Sequence, residues 1–168
     1  MQTTTRKPAL RPPANQVSRR AVRYWTARAA VGWLVLTAGQ VLWLVLDDGD
    51  AVTAHVVGLA VTVVLAAAHL AVMPRWRFAV HRWETTADVV YAQSGWVDRE
   101  RRLAPMSRIQ TVDTHQGLFE RAFRLTNITV TTASARGPIR IHALDDAIAE
   151  DLVAEITARA GVAQDDAT

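Results

Sequence analysis

Two long uncharged apolar segments, joined by a short acidic loop, constrain this chain more than any other feature. Residues 29–46 and 51–73 contain no Asp, Glu, Lys or Arg, and residues 47–50 read Asp-Asp-Gly-Asp. A helix needs roughly 20 apolar residues to cross the hydrocarbon core of a bilayer. The loop is too short for anything but an antiparallel hairpin. The sequence therefore predicts two transmembrane helices followed by one small domain.

Basic residues flank this hairpin on both sides. Residues 1–28 hold seven Lys or Arg and no acid, and Arg75, Arg77 and Arg82 follow the second segment. The positive-inside rule then places both termini in the cytoplasm and the acidic loop outside. A cleaved signal peptide is the main alternative for the first segment. The apolar run is longer than the usual core of about 7–15 residues, and a second span follows at once, which favours a membrane helix.

The remaining sequence divides around the hairpin. Residues 1–28 are predicted to be a basic cytoplasmic tail, 29–73 the hairpin, 75–161 a cytoplasmic domain and 162–168 a disordered tail. Amphipathic rings and arginines gather where the helices would leave the bilayer, a position that such side chains favour. The predicted membrane-interface residues are Trp25, Arg28, Arg75, Trp76 and Arg77.

Two patterns inside the spans concern helix packing. Gln40 is expected to form a hydrogen bond across the hairpin. Small residues recur every fourth position of the second span, at Ala54, Gly58, Thr62 and Ala66. Such a stripe lets another helix approach closely, either the first span of the same chain or a second copy in a homo-oligomer.

The segment after the hairpin is mainly of β character. Alternating residues 128–131 and 139–142, separated by a Gly-Pro turn, predict one hairpin, and residues 89–92 and 101–103 around Gly95 predict another. Residues 109–112 predict a further strand, and residues 117–125 a helical turn or loop. The chain ends in a predicted amphipathic helix that Asp145 or Asp146 caps and Gly161 ends. Its apolar stripe is Ile148, Leu152 and Ile156.

A central motif makes the fold more specific. The chain has Pro105, then Arg108-Ile109-Gln110-Thr111-Val112, then Gln116-Gly117 with Arg121 and Phe123, and a strand that ends near Thr132-Ala133. This pattern resembles the bacterial pleckstrin-homology-like membrane proteins of the YdbS type, which also carry a two-span hairpin before the domain. The resemblance covers about residues 20–160 and implies two orthogonal antiparallel sheets capped by a helix. It departs at Arg124, where that family commonly has glycine.

The sequence contains no residue pattern typical of a catalytic, metal or cofactor site. Without cysteine, thiolate metal sites, disulfides and cysteine nucleophiles are excluded. No glycine-rich phosphate loop or histidine-metal spacing occurs, and Asp113 with His115 is interpreted as a solvated pair. We therefore expect no enzyme activity, no metal and no cofactor.

Arginines of the domain form the candidate binding residues. They could bind lipid phosphates through the bidentate guanidinium, or a partner protein, or form a solvated surface balanced by neighbouring acids. Arg108 and Arg121 could instead support the fold. The same balance argues against nucleic-acid binding. The candidates are Arg99, Arg101, Arg102, Arg108, Arg121 and Arg124.

These patterns and the resemblance together predict a multi-pass protein of the bacterial inner membrane. Its expected role is a non-catalytic pleckstrin-homology-like module that scaffolds or recruits a protein partner at the membrane, in envelope maintenance. Binding of anionic lipid headgroups is the alternative. A role as accessory subunit of a transporter or envelope enzyme is a weaker one.

Overall fold

The computed structural model describes residues 11–47, 49, 51–96, 98–134 and 137–165. Two long helices come first, α1 and α2, and a β domain with a C-terminal helix follows. A short 3-10 helix, Met106–Arg108, joins two of the strands. The elements are β1 (Asn15–Gln16), α1 (Arg20–Leu46), α2 (Val52–Val80), β2 (Arg82–Thr85), β3 (Val89–Gly95), β4 (Arg99–Pro105), β5 (Ile109–His115), α3 (Leu118–Phe123), β6 (Leu125–Thr132), β7 (Ile139–Asp145) and α4 (Asp146–Asp165).

Helices α1 and α2 form the predicted hairpin, and both are long and apolar enough to cross a membrane. Their few polar side chains are paired between the helices. Gln40 donates to the Thr62 hydroxyl over 2.8 Å, as predicted, and Trp33 donates its indole N–H to His69 Nδ1, also over 2.8 Å. Thr62 is 7% exposed, so at least this member of the small-residue stripe packs within the hairpin.

Helix α2 extends further than the sequence predicted. The spans were expected to end at Met73, yet the helix continues through Pro74 to Val80. Proline supplies no amide to the helix, a gap that membrane helices tolerate when neighbouring groups satisfy the freed carbonyls. The carbonyl freed by Pro74 is that of Leu70, and Arg75 donates a side-chain N–H to the next carbonyl along the chain, that of Ala71. The first strand after this helix therefore begins at Arg82, seven residues beyond the start predicted for the domain.

Two antiparallel sheets enclose the core. One has the order β1-β2-β3-β4 and the other β5-β6-β7, and together they include all five predicted strands and both predicted hairpins. The sequence analysis missed β2, whose four residues are all half-buried. Helix α4 covers the core with Leu152 and Ile156, which are 2% and 0% exposed.

The apolar stripe of α4 differs from the predicted one. Ile148 is 44% exposed, whereas Ala149 is 1% exposed and occupies the core position. Gly161 does not end the helix, which runs to Asp165, so residues 162–165 are helical. Residues 166–168 lie outside the described residues.

The predicted basic tail is, from residue 11 onward, part of the domain. Strand β1 pairs with β2, the Ser18 amide donates to the carbonyl of Ala143 over 3.0 Å, and helix α1 begins at Arg20. A second core cluster contains Val17, Ala21, Tyr24, Trp25, Leu125 and Ala143. Burial of these apolar side chains holds the segment against the domain despite its arginines. Residues 1–10 lie outside the described part of the chain.

Candidate functional site

The six predicted arginines do not form one patch. Side chains alternate along a strand, so Arg99 and Arg101 lie on one face of β4 and Arg102 on the other. Arg108 follows the far end of β4, and Arg121 and Arg124 belong to α3 and its C-terminal cap. The structure therefore separates Arg99 and Arg101 from Arg121 and Arg124, and Arg102 and Arg108 border a further cleft that Arg101 also lines.

Arg99 and Arg101 line a cleft of about 560 Å³ between β4 and the end of α2. Strand register explains the third basic residue there, because Gln93 of β3 pairs with Arg82 on one side and Arg101 on the other. Trp76 of α2 forms another wall. We call the surface formed by Trp76, Arg82, Arg99 and Arg101 the arginine groove. Its described lining residues include three arginines and no carboxylate.

Gln93 positions the groove. Its side-chain amide donates to the carbonyl of Val80 at the end of α2 over 2.9 Å, and its oxygen accepts from Arg101 Nε, also over 2.9 Å. Gln93 is 5% exposed, so the bridge between helix and sheet is protected from water. The groove therefore keeps a fixed relation to the end of the membrane helix.

The groove lies where α2 leaves the predicted span. Trp76 is three residues beyond Met73, or about 5 Å along a helix. Its indole N–H donates to the carbonyl of Trp96 over 2.8 Å. The Trp96 ring, at the tip of the β3–β4 hairpin, lies 6.3 Å from the ring of His69 within the span. The tip of β4 that carries Arg99 is thus the part of this strand nearest the predicted span.

The partners of Arg102 give it a structural role. It forms an ion pair of 2.6 Å with Glu100 and donates to the carbonyl of Pro138 over 3.0 Å, linking β4 to the start of β7. Arg108 and Arg121 are exposed, and neither forms an ion pair with a described residue. A structural pairing role for these two arginines is therefore not seen in the described part of the chain.

Arg124 occupies the position where the resembling family commonly has glycine. Its φ of 54° and ψ of 51° are left-handed, and its amide closes helix α3 on the carbonyls of Arg121 and Glu120. The turn is therefore kept although the residue carries a Cβ. Arg124 borders a cleft with Arg19, Arg20, Asp145 and Asp146, where acids and bases are mixed.

The predicted interface residues have different environments. Arg75 and Trp76 are exposed, and Arg28 donates to the hydroxyl of Tyr24 over 3.1 Å. Trp25, predicted to lie among lipid headgroups, is instead 3% exposed. The guanidinium of Arg77 lies 4.6 Å from the centre of its ring. The correction follows from the first helix starting inside the domain, which covers the indole with protein.

The sequence analysis also missed Trp96, which is 51% exposed. Its only signal in the sequence is a tryptophan directly after Gly95, the residue expected to lie near the turn. Gly95 has a φ of +132°, and a Cβ there would lie 1.8 Å from the Asp98 carbonyl oxygen. The tight turn explains why a glycine precedes the tryptophan.

The central motif connects the domain to the first membrane helix. Gln116 donates to the carbonyl of Leu125 over 3.1 Å and to the Asp146 carboxylate over 3.0 Å, which joins the start of β6 to the start of α4. Glu120 accepts from the hydroxyl of Tyr24 over 2.7 Å, and the ring of Phe123 meets that of Tyr24 at 6.1 Å. Gln116 and Phe123 of the motif therefore have structural roles.

Among the described residues, no group of three or more His, Cys, Asp or Glu side chains is arranged to hold a metal ion. Asp113 and His115 are both exposed on β5. The Asp113 carboxylate accepts from the Thr111 hydroxyl over 3.0 Å. This environment is that of a solvated pair, as the sequence analysis interpreted it.

The fold, the membrane hairpin and the motif can now be compared with known proteins. The family profile described as "Bacterial PH domain" matches residues 27–160. The chain belongs to the bacterial PH domain family. This bacterial PH domain protein is 29% identical over 163 residues to the "UPF0699 transmembrane protein YdbS" of Bacillus subtilis (strain 168), a match that covers 92% of the chain and 97% of YdbS. No solved structure matches it. The protein is a bacterial membrane protein with a PH-like domain.

Proposed function

We propose that this protein is a non-catalytic membrane module whose arginine groove binds the headgroups of anionic lipids in the cytoplasmic leaflet. The observation that carries the proposal is the groove itself. Three arginines and a tryptophan, without a lining carboxylate, lie at the end of α2. Arginine suits phosphate because its planar donors bind two oxygens at once. Tryptophan is enriched at the membrane interface.

The proposal includes the orientation. Both termini and the domain lie in the cytoplasm, where the anionic leaflet attracts basic segments near the membrane. Arg75, exposed beside the groove, adds to this charge. Each basic residue near an anionic surface contributes about 1 kcal/mol, so three arginines together contribute about two orders of magnitude in affinity.

The test uses the full-length protein in a neutral detergent, because residues 11–25 belong to the domain. A short-chain phosphatidylglycerol, below its micelle concentration, is titrated into the protein by calorimetry. A short-chain phosphatidylcholine is titrated in the same way for comparison. We expect binding of the anionic lipid that weakens with salt. Substituting Gln for Arg82, Arg99 and Arg101 together is expected to weaken it about 100-fold.

The matched control replaces three arginines outside the groove, Arg108, Arg140 and Arg159, by Gln and so has the same net charge. It should bind the anionic lipid like the wild type. An equal loss of affinity in both triple variants would show that binding depends on net charge and not on the groove. Equal binding of the two lipids by the wild type would refute the proposal.

Recruitment of a protein partner is a second candidate, favoured by strand β5. Among the described strands, β5 pairs only with β6, and five of its seven residues are exposed. Such an edge can accept an added strand from another protein. A photo-crosslinker at Asp113 should then capture one partner specifically, while the same group at exposed Ala158 on α4 should not. Identical crosslinks at both positions would count against this surface.

A further inference from the structure

A second cleft lies beside α2, between the end of that helix and strands β3 and β7. Its volume is about 370 Å³, and none of the arginines of the groove lines it. Arg77, His81, Ser94 and His142 supply its polar lining, and His69 and Trp96 lie at the membrane side. We call it the Arg77 cleft.

Arg77 is the most informative residue of this cleft. Its side chain is half-buried and stacks on Trp25 at 4.6 Å. Within the described residues, its guanidinium has no carboxylate partner and no hydrogen-bond acceptor. The guanidinium is not fully buried, so the donors that no described protein group accepts from are open to the cleft. A guanidinium has five donors, so an anion would satisfy it best.

The histidines provide neutral polar groups around this charge. His81 is 4% exposed, and its Nδ1 lies 2.8 Å from the carbonyl of Arg77. Because a carbonyl only accepts, Nδ1 carries the proton and Nε2 is an acceptor. Burial lowers the pKa of His81 to about 4 and also lowers the pKa of His142. Both rings are therefore neutral at pH 7.

We propose that the Arg77 cleft is a binding site for a phosphate ester. The phosphate binds to the guanidinium of Arg77, with the hydroxyl of Ser94 and an N–H of His142 as further donors. His81 Nε2 accepts from a hydroxyl of the same ligand, which suits a glycerol phosphate. The described lining thus contains these four polar side chains and no carboxylate that would repel the anion.

Such a phosphate has two sources, a lipid headgroup that enters beside His69 and Trp96 or a soluble phosphate ester. The site does not rest on the proposed function, because the two clefts share no lining residue. Loss of the arginine groove should therefore leave the Arg77 cleft intact, and the reverse should hold too.

The experiment uses the full-length protein carrying the Arg82, Arg99 and Arg101 to Gln substitutions, so that groove binding is removed. Inorganic phosphate, glycerol 3-phosphate and a short-chain phosphatidylglycerol are titrated separately by calorimetry. We expect saturable binding of at least one probe. Arg77→Gln should weaken it at least 10-fold, and Ser94→Asp, which places a negative charge in the cleft, should abolish it. Arg159→Gln removes a charge on α4 that lines neither cleft and should change binding less than twofold.

The probes distinguish the sources. A preference of at least 10-fold for the lipid over glycerol 3-phosphate indicates a headgroup, and similar affinities for the two indicate a soluble ester. Ser94→Asp keeps the test decisive where Arg77→Gln lowers the melting temperature. Failure of all three probes to bind, or binding that persists in Ser94→Asp, overturns the proposal while leaving the arginine groove untouched.

Discussion

Tyr24, on the helix that enters the membrane, donates its hydroxyl to the carboxylate of Glu120 on α3 over 2.7 Å. Arg28 donates to the same hydroxyl over 3.1 Å, and Asn127 donates to the same carboxylate oxygen over 3.5 Å. The contact joins the first transmembrane helix to the domain through a side-chain network. Together with the buried residues 17–25, it fixes the orientation of the domain relative to the hairpin.

Tyr24→Phe should destabilise the protein by about 1.5–3 kcal/mol, as expected for a hydrogen bond to a charged group. Thermal unfolding of the full-length protein in detergent measures the effect. In a Glu120→Gln background the same substitution should cost clearly less, because its charged partner is gone. Equal costs in the two backgrounds would show that Tyr24 acts through packing alone.

The contribution of Glu120 should depend on pH. Partial burial alone would raise the pKa of this carboxyl, but hydrogen bonds from Tyr24, its own amide and Asn127, with the charge of Arg28, lower it below the ordinary 4.5. A group whose pKa is lowered by folding stabilises above its unfolded pKa and loses that effect as the pH falls through the folded value. The stability difference between wild type and Glu120→Gln should therefore be full at pH 6 and shrink below pH 4.5.

Arg124→Gly should stabilise the protein by about 1 kcal/mol, because glycine adopts the left-handed conformation without the cost that a Cβ imposes. Arg124→Ala is the matched control. It removes the same charged side chain but retains the Cβ, and it should bring no such gain. A melting temperature that rises equally for both variants would attribute the effect to charge instead of backbone strain.

Leu152→Ala should lower the free energy of unfolding by about 2–5 kcal/mol, as for other buried leucines. Ile148→Ala, on the same helix but 44% exposed, should cost less than about 0.5 kcal/mol. Denaturation of both variants in the same detergent compares them directly. Similar costs would mean that α4 is rotated relative to the packing described.

The orientation is tested with single cysteines in this cysteine-free chain. Ala51 directly precedes α2 at the acidic loop, and Ala87 is an exposed residue between β2 and β3. In intact cells, a membrane-impermeant thiol reagent should label Ala51→Cys and spare Ala87→Cys, and permeabilised cells should show both. The opposite pattern in intact cells would reverse the proposed topology.

The parts of the fold that local periodicity encodes could be predicted from sequence. The hairpin, strands β3 to β7 and the buried Leu152 and Ile156 follow from apolar patterns. Strand β2 could not be predicted, because Arg82-Trp83-Glu84-Thr85 has no clear alternation and gains its place by pairing with β1 and β3. The prediction that Ile148 is buried was wrong for a related reason. Ala149 is too small to mark the core, so the larger neighbour was chosen.

The candidate sites were less predictable than the fold. Sequence proximity grouped Arg101 with Arg102, although strand geometry directs them to opposite faces. Arg82 joins Arg101 only through the register of three strands. The Arg77 cleft brings together residues from α2, β3 and β7, and no spacing in the sequence reports such a meeting.

The position of the N-terminal segment has a consequence for biogenesis. Residues 17–25 leave the ribosome before the two apolar spans, yet Leu125 and Ala143, which they pack against, are made only after both spans. Insertion of the hairpin therefore precedes the completion of the domain that holds its first helix. A chain arrested before β7 would have its spans in the bilayer while the cytoplasmic start of helix α1 still lacked its final support.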